Sequence, residues 1–186
     1  MAAVDTAFAP SFLSRLAAPI RKMQKSALRR RGPLDLALED FLVDAVKPGD
    51  KVLQLGAADI VAAAFLDRGV FHHLVAPAQS ADAVEALCQL RGCSAQRLRL
   101  FASVGHSGSA GEVDAVWIAR APSLAVLAAH YRHAEHRVRK GGTLMVDGID
   151  VEHGKTLFKQ LENDMAWRLD EVISGQVAVF RRVGNF

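Results

Sequence analysis

Apolar positions along this chain alternate between two rhythms. Leu34, Leu38, Phe41, Leu42 and Ala45 recur at helical spacing after Pro33, until Lys47-Pro48-Gly49-Asp50 breaks the pattern, which predicts a helix and a turn. Lys51 to Leu55 is a short apolar run of strand type, and Gly56 leads from it into an Ala-rich helical stretch from Ala57 to Leu66 that ends near Gly69. The alternation repeats with His72–Ala76 as strand, Ser80–Leu90 as helix stopped at Gly92, and Arg97–Phe101 as strand. A Gly/Ser-rich loop from Ala102 to Glu112 follows, then strand Asp114–Ala119, helix Ser123–Val138, strand Gly142–Asp147 and helix His153–Asp164. Trp167–Ile173 and Gln176–Arg182 join through Ser174-Gly175 as a terminal hairpin.

Strands separated by crossovers pair in parallel, and the crossovers lay helices on the sheet. The expected fold is therefore α/β: a Rossmann-like, doubly wound, seven-stranded sheet, mostly parallel, with an antiparallel C-terminal hairpin and helices on both faces. Ligands of such sheets bind outside the carboxyl ends of the strands, which selects Gly56–Asp59, Ala76–Pro77, Ala102–Ser103, Ala119–Arg120 and Asp147–Asp150.

The segment before this domain has another character. From Thr6 to Pro33 it carries seven Lys and Arg residues and no acid. On a helical wheel Phe12, Leu16, Ile20, Met23 and Ala27 oppose Arg15, Arg21, Lys22, Lys25 and Arg29. We read residues 1–33 as a basic amphipathic extension and 34–186 as the domain. The extension is either a helix docked by its apolar stripe, an arm for an anionic partner or protein at Arg15 to Arg31, or an organelle-targeting segment.

With 186 residues, 51% of them hydrophobic, the chain builds one sizeable core. Two cysteines exclude a disulfide framework, and core filling is the reading for Cys88 and Cys93. A formal charge of +3 is too mild to identify a polyanionic partner by itself. No apolar run reaches the roughly 18 residues of a transmembrane helix, and no secretory signal pattern opens the chain, so a cytoplasmic location is expected.

Val46-Lys47-Pro48-Gly49-Asp50-Lys51-Val52-Leu53-Gln54-Leu55-Gly56 resembles the entry into the first strand of class I S-adenosylmethionine-dependent methyltransferases. Val113-Asp114-Ala115-Val116-Trp117-Ile118 resembles their fourth strand, and Arg139 to Asp147 the approach to their fifth. The resemblance implies S-adenosylmethionine as cofactor, an unknown methyl acceptor, and cofactor contacts at Gly56, Ala57, Ala58, Asp59, Ala76, Pro77, Gln79, Ala102, Ser103 and Ala119. Of the family's glycine-rich turn only the first glycine is present, since Ala58 and Ile60 stand at the second and third positions. Ala76 stands where the family has an acid for the ribose diol, with Gln79 or Asp82 as compensating candidates. These departures support an alternative, a non-catalytic binding or regulatory module of the same fold, which presents the basic helix to a partner or forms a homo-oligomer.

Asp147 and Asp150 resemble the acidic end of metal-assisted O-methyltransferases, but a hard cation needs more oxygens than this pair supplies, so no metal is expected. His106, in the Gly/Ser-rich loop, is the candidate general base. His130, His133 and His136 recur every third residue, and their wheel positions spread too far for three to share a metal. One of His72 and His73 is expected buried and hydrogen-bonded, and Trp117, Tyr131 and Trp167 are read as core.

Overall fold

The computed structural model describes residues 33–57, 59–77, 84, 95–105, 107 and 111–184. The basic extension up to residue 32, Ala58, Gln79, most of the Ser80–Leu90 helix, Asp82, both cysteines and His106 lie outside the described residues. The described elements run α1 (Pro33–Ala45), β1 (Lys51–Leu55), α2 (Asp59–Asp67), β2 (Phe71–Val75), a 3-10 turn (Ala95–Arg97), β3 (Leu98–Phe101), β4 (Val113–Ile118), α3 (Leu124–Glu135), β5 (Val138–Asp147), α4 (Glu152–Glu162), β6 (Trp167–Ile173) and β7 (Val177–Arg182).

These strands form one seven-stranded sheet in the order β3-β2-β1-β4-β5-β7-β6. The first five pair in parallel, and β7 enters antiparallel between β5 and β6. The expected Rossmann-like topology is the observed one. The hairpin closes where expected: Ser174 and Gly175 both take positive φ, 49° and 68°, as a two-residue turn matched to strand twist requires, and the Gln176 amide donates to the Ile173 carbonyl at 3.0 Å.

Each face of the sheet buries its own apolar layer. Leu38 and Leu42 of α1 and Val61 and Phe65 of α2 pack with Val52, Trp117 and Met145 on one face. Leu127 and Tyr131 of α3 and Leu157 and Leu161 of α4 pack with Leu53, Leu55, Ile118 and Phe180 on the other. Trp117, Tyr131 and Trp167 are buried, as core residues should be. The Trp167 indole N–H donates to the Tyr131 hydroxyl at 3.2 Å, while burial pushes the phenol pKa up to about 12.

Most boundaries lie within two residues of the sequence pattern, and the largest difference falls between α3 and β5. The helix after Ser123 stops at Glu135 rather than Val138, and the fifth strand begins at Val138 rather than Gly142. Val138 is buried opposite Val113, and the Val113 amide donates to the Arg137 carbonyl, so pairing with β4 captures residues that the helical pattern claimed. Gly142 marks the irregularity in that ladder, since a Cβ there would stand 2.7 Å from the Asp114 carbonyl oxygen and 2.8 Å from that of Arg139.

Gly154 in the first turn of α4 is seated directly on the Gly148 carbonyl, and a Cβ would also come 3.0 Å from the Ile149 Cα. Backbone cannot rotate away, so the collision outweighs the ~1 kcal/mol of helix propensity that alanine adds. Gly154→Ala is expected to destabilise the fold by about 1–3 kcal/mol. Thermal unfolding reads this as a fall of roughly 2–4 °C per kcal/mol, and an unchanged or raised midpoint contradicts the packing described.

Candidate cofactor site

The parallel strands end flush. Leu55 stands opposite Val75 and Ile118, Val75 opposite Phe101, and Ile118 opposite Val146. The next residues therefore make one row along the carboxyl rim: Ala102, Ala76, Gly56, Ala119 and Asp147. From Ala102 to Ala119, about 14 Å at three strand spacings, no side chain in the row exceeds a methyl group.

Gly56 is the pivot of this row. It adopts φ +92°, which L side chains rarely take, and a Cβ there would stand 3.1 Å from the Ala119 Cβ and 3.7 Å from the His130 ring. The amide of Gly56 donates to the Val75 carbonyl at 2.8 Å, that of Ala119 to Leu55 at 2.9 Å and that of Ala76 to Phe101 at 3.3 Å. The ladder thus extends one residue past β1, β2 and β4 and engages these three amides, so donors for a bound group come from other positions.

A buried polar pair supports the pivot from below. Gln54 Nε2 donates to the Gly56 carbonyl at 3.1 Å, and Gln54 Oε1 lies 3.0 Å from His72 Nε2. An amide oxygen only accepts, so His72 carries its proton on Nε2, which leaves Nδ1 an unpartnered acceptor in a fully buried ring. Burial, with a smaller push from His73, takes the His72 pKa down to about 3.

The other candidates fall into place on this rim. Ala57, Pro77, Ala102 and Ser103 are exposed there. Asp59 opens α2. Ala76 and Ala119 are buried, and the Ala76 methyl packs with Ala62, Leu66 and Leu74 on the α2 side. At the strand-end position itself, among the described residues, a buried methyl group stands where an acid would project.

At the far end of the row Arg120 occupies both acids. Its Nη2 donates to Asp150 Oδ1 at 2.6 Å, its Nε lies 3.8 Å from Asp147 Oδ1, and its amide reaches Asp147 Oδ2 at 3.4 Å. Burial raises the Asp147 pKa and Arg120 opposes it. Among the described residues, no group of three or more His, Cys, Asp or Glu is placed to hold a metal.

The three helical histidines diverge as their wheel positions imply. His133 Nε2 lies 2.5 Å from Ser107 Oγ. That hydroxyl gives its single proton to the Val104 carbonyl at 2.8 Å, so His133 donates to it. This chain ties the β3–β4 connection to α3, with Arg137 Nη1 reinforcing it at the Ser107 carbonyl, 2.9 Å away. His136 lies on the surface beside Glu135, 3.3 Å away. His130 faces the rim, and its Nδ1 is buried with no hydrogen-bond partner. The pattern of α3 showed which residues share a face, and only the tertiary packing shows which face meets Gly56.

No family model matches the chain, and no curated protein matches it in sequence. Solved structures do match in fold. A methyltransferase from Geobacter sulfurreducens superposes with TM-score 0.66 and 11% identity over 95% of this chain and 93% of that one. An rRNA methylase from Streptococcus thermophilus gives 0.62 and 11%, covering 78% and 94%. A Streptococcus mutans protein assigned as a methyltransferase and solved with S-adenosylhomocysteine gives 0.62 and 12%, covering 83% and 99%. At these identities the likeness is one of fold: the chain has a Rossmann-like, methyltransferase-type architecture, its own sheet ending in an antiparallel hairpin. Among the described residues, no helix is long and apolar enough to cross a membrane.

The buried imidazoles set the acid stability. Burial, first, and then Arg137 and His130 take the His133 pKa down to about 4, and burial also lowers His130 and leads the lowering of His73. The unfolded chain takes up protons on these rings near pH 6.5, and the native state does so only at lower pH, near 4 for His133 and near 3 for His72. The unfolded state thus binds more protons between those limits, so stability is full above about pH 7 and is lost as pH falls towards 4. Denaturant midpoints from pH 7.5 to 4.5 are expected to fall, and less steeply in His133→Gln; equal slopes in the two proteins contradict this assignment.

Proposed function

We propose that this protein binds S-adenosylmethionine across the carboxyl rim of β1 to β4 and transfers its methyl group to a nucleophilic acceptor. The observation that carries the reading is the small-residue row with Gly56 at its centre, on a sheet of methyltransferase order. The rim fits an adenosyl group by size, because Ala102, Ala76, Gly56 and Ala119 let a ligand approach the backbone. The unpartnered Nδ1 of His130 beside Gly56 adds a polar group at the same place. Ala57, Ala58, Asp59, Pro77, Gln79 and Ser103 complete the proposed cradle.

When bound, this cofactor supplies a methyl group activated by its sulfonium. What the chain adds is position. Gln54 and His72 hold the Gly56 carbonyl, and Arg120 keeps Asp147 and Asp150 paired at the acceptor end. Holding a nucleophile in line accounts for most of such a rate enhancement, so an acceptor of adequate nucleophilicity needs no strong base. Where a proton must leave, His130 is uncharged at neutral pH and His106 stands in the neighbouring connection.

A second reading has its own support. With the Ala76 methyl turned into the α2-side cluster, residue 76 itself supplies no carboxylate for a ribose diol, which suits a non-catalytic module that uses the fold for binding.

Calorimetric titration with S-adenosylmethionine and S-adenosylhomocysteine separates the two. Binding is expected in the wild type, and weakened at least ~10-fold in Ala102→Trp, which fills the exposed rim without entering the core. Absence of heat and of any thermal shift at millimolar ligand overturns the transferase reading.

A further inference from the structure

The sheet carries a second conspicuous surface, at the opposite ends of its first three strands. Lys51 stands opposite Phe71, and His73 opposite Arg99. Because His72 is opposite Leu98, Arg97 lies across from Phe71. Lys51, Phe71, His73 and Arg99 alternate with residues of the α2 side, so they share the face of Leu53, Leu55 and Val75, the face that α3 covers further along the sheet. The β3–β4 connection, in its described part, places only a 3-10 turn at Val104 and Gly105, not a covering helix, and the lower half of this face reaches solvent. Phe71 is 42% exposed, and Lys51, Arg97 and Arg99 are exposed with it.

We infer that this face, built from Lys51, Phe71, Arg97 and Arg99 with Arg137 at its margin, is a binding surface for a single-stranded nucleic acid segment. The inference does not depend on methyl transfer. Three features carry it.

The first is a preset stacking platform. The Arg97 guanidinium lies 5.9 Å from the Phe71 ring centroid and is fixed there by a 2.7 Å hydrogen bond from Nη1 to the Gly69 carbonyl. With a guanidinium held over one face of an exposed ring, a base can extend the stack on the guanidinium plane or on the ring's exposed edge while its phosphate meets the cation. The second is the charge balance. Arg97, the last residue of the 3-10 turn, and Arg99 of β3 are two residues apart in the chain and both exposed, which puts two cations within reach of neighbouring phosphates of one strand. Two acids beside Lys51 are already engaged: the Asp114 carboxylate accepts the Lys51 amide at 2.8 Å and pairs with Arg139, and the Asp50 carboxylate accepts the Lys47 amide at 2.8 Å. The third is the buried reporter of the field. After burial, the groups that disfavour a charge on His73 are Arg99, Lys51 and Arg137, three cations converging on one point. A partner that reads charge alone would use the cations and leave the exposed ring unused, whereas a nucleic acid uses both.

The patch lies on the α3 side of the sheet, about 13 Å along β2 from the rim.

Fluorescence anisotropy with a labelled 12-nucleotide oligouridylate, at several salt concentrations, tests the inference on the full chain. Wild type is expected to bind, with affinity falling as salt rises. Lys51→Glu/Arg99→Glu is expected to bind at least tenfold more weakly with a shallower salt slope, by about 0.7 for each phosphate that the variant no longer neutralises. Phe71→Ala weakens binding about tenfold or more and Phe71→Tyr restores it. Arg99→Gln, which removes the charge but keeps the start of the aliphatic stem, serves if the double reversal fails to fold. Charge reversal at Arg15, Arg21 and Lys25 should leave the oligouridylate affinity within twofold, and a loss confined to that variant overturns the inference. So does an absence of binding at low salt. Loss on charge reversal with no effect of Phe71→Ala overturns it in favour of an acidic partner that reads charge alone.

Discussion

The candidate site depends on one constraint, the register of four parallel strands that brings their last residues level. Because Leu55, Val75, Phe101 and Ile118 align, the residues after them fall into a single row, and the ladder continues through their amides. Slipping one strand by a residue would turn its apolar side chains to the wrong face and lift one position out of the row. The interior enforces the alignment, since Leu53, Leu55 and Ile118 are completely buried against α3 and Val52, Trp117 and Phe65 on the other side. The rim is therefore a consequence of core packing, and its shape is set by residues that no ligand touches.

Within that frame small side chains and buried polar ones have different duties. Gly56 allows a backbone conformation that most residues avoid, and Ala119 lies close enough to exclude a larger neighbour. Gln54 and His72 hold the pivot by a hydrogen-bonded chain that ends on the Gly56 carbonyl. Keeping the imidazole neutral is the cost of that chain at low pH. Arg120 performs the corresponding task at the other end, where it turns two carboxylates into a closed ion-paired corner.

Much of this was readable from residue order. Buried parallel strands such as Val52–Leu55 announce themselves as short apolar runs between turn residues, and the alternation with helices implies the sheet and hence the rim. The Ser174-Gly175 turn is local chemistry and was legible for that reason. Three things were not. The start of β5 hides in Arg139-Lys140-Gly141, polar residues that pair at an irregular ladder and carry no strand pattern. Gln54 and His72 interrupt apolar runs and give no sign from spacing that they meet each other across adjacent strands. His130 has the same local pattern as His133 and His136, and only packing assigns one to the rim, one to Ser107 and one to solvent. Ala58, Gln79 and His106 were also named from sequence and fall outside the described residues.

The central claim is that the level row at the strand ends is where a ligand sits. Amide and imidazole NMR shifts recorded during titration with S-adenosylhomocysteine test it most directly. The account predicts saturable shifts at Ala57, Ala102, Ser103 and Ala119 and in the His130 ring, with the β6–β7 hairpin unmoved. Saturable shifts that leave this row silent, or none at all at millimolar ligand, contradict it.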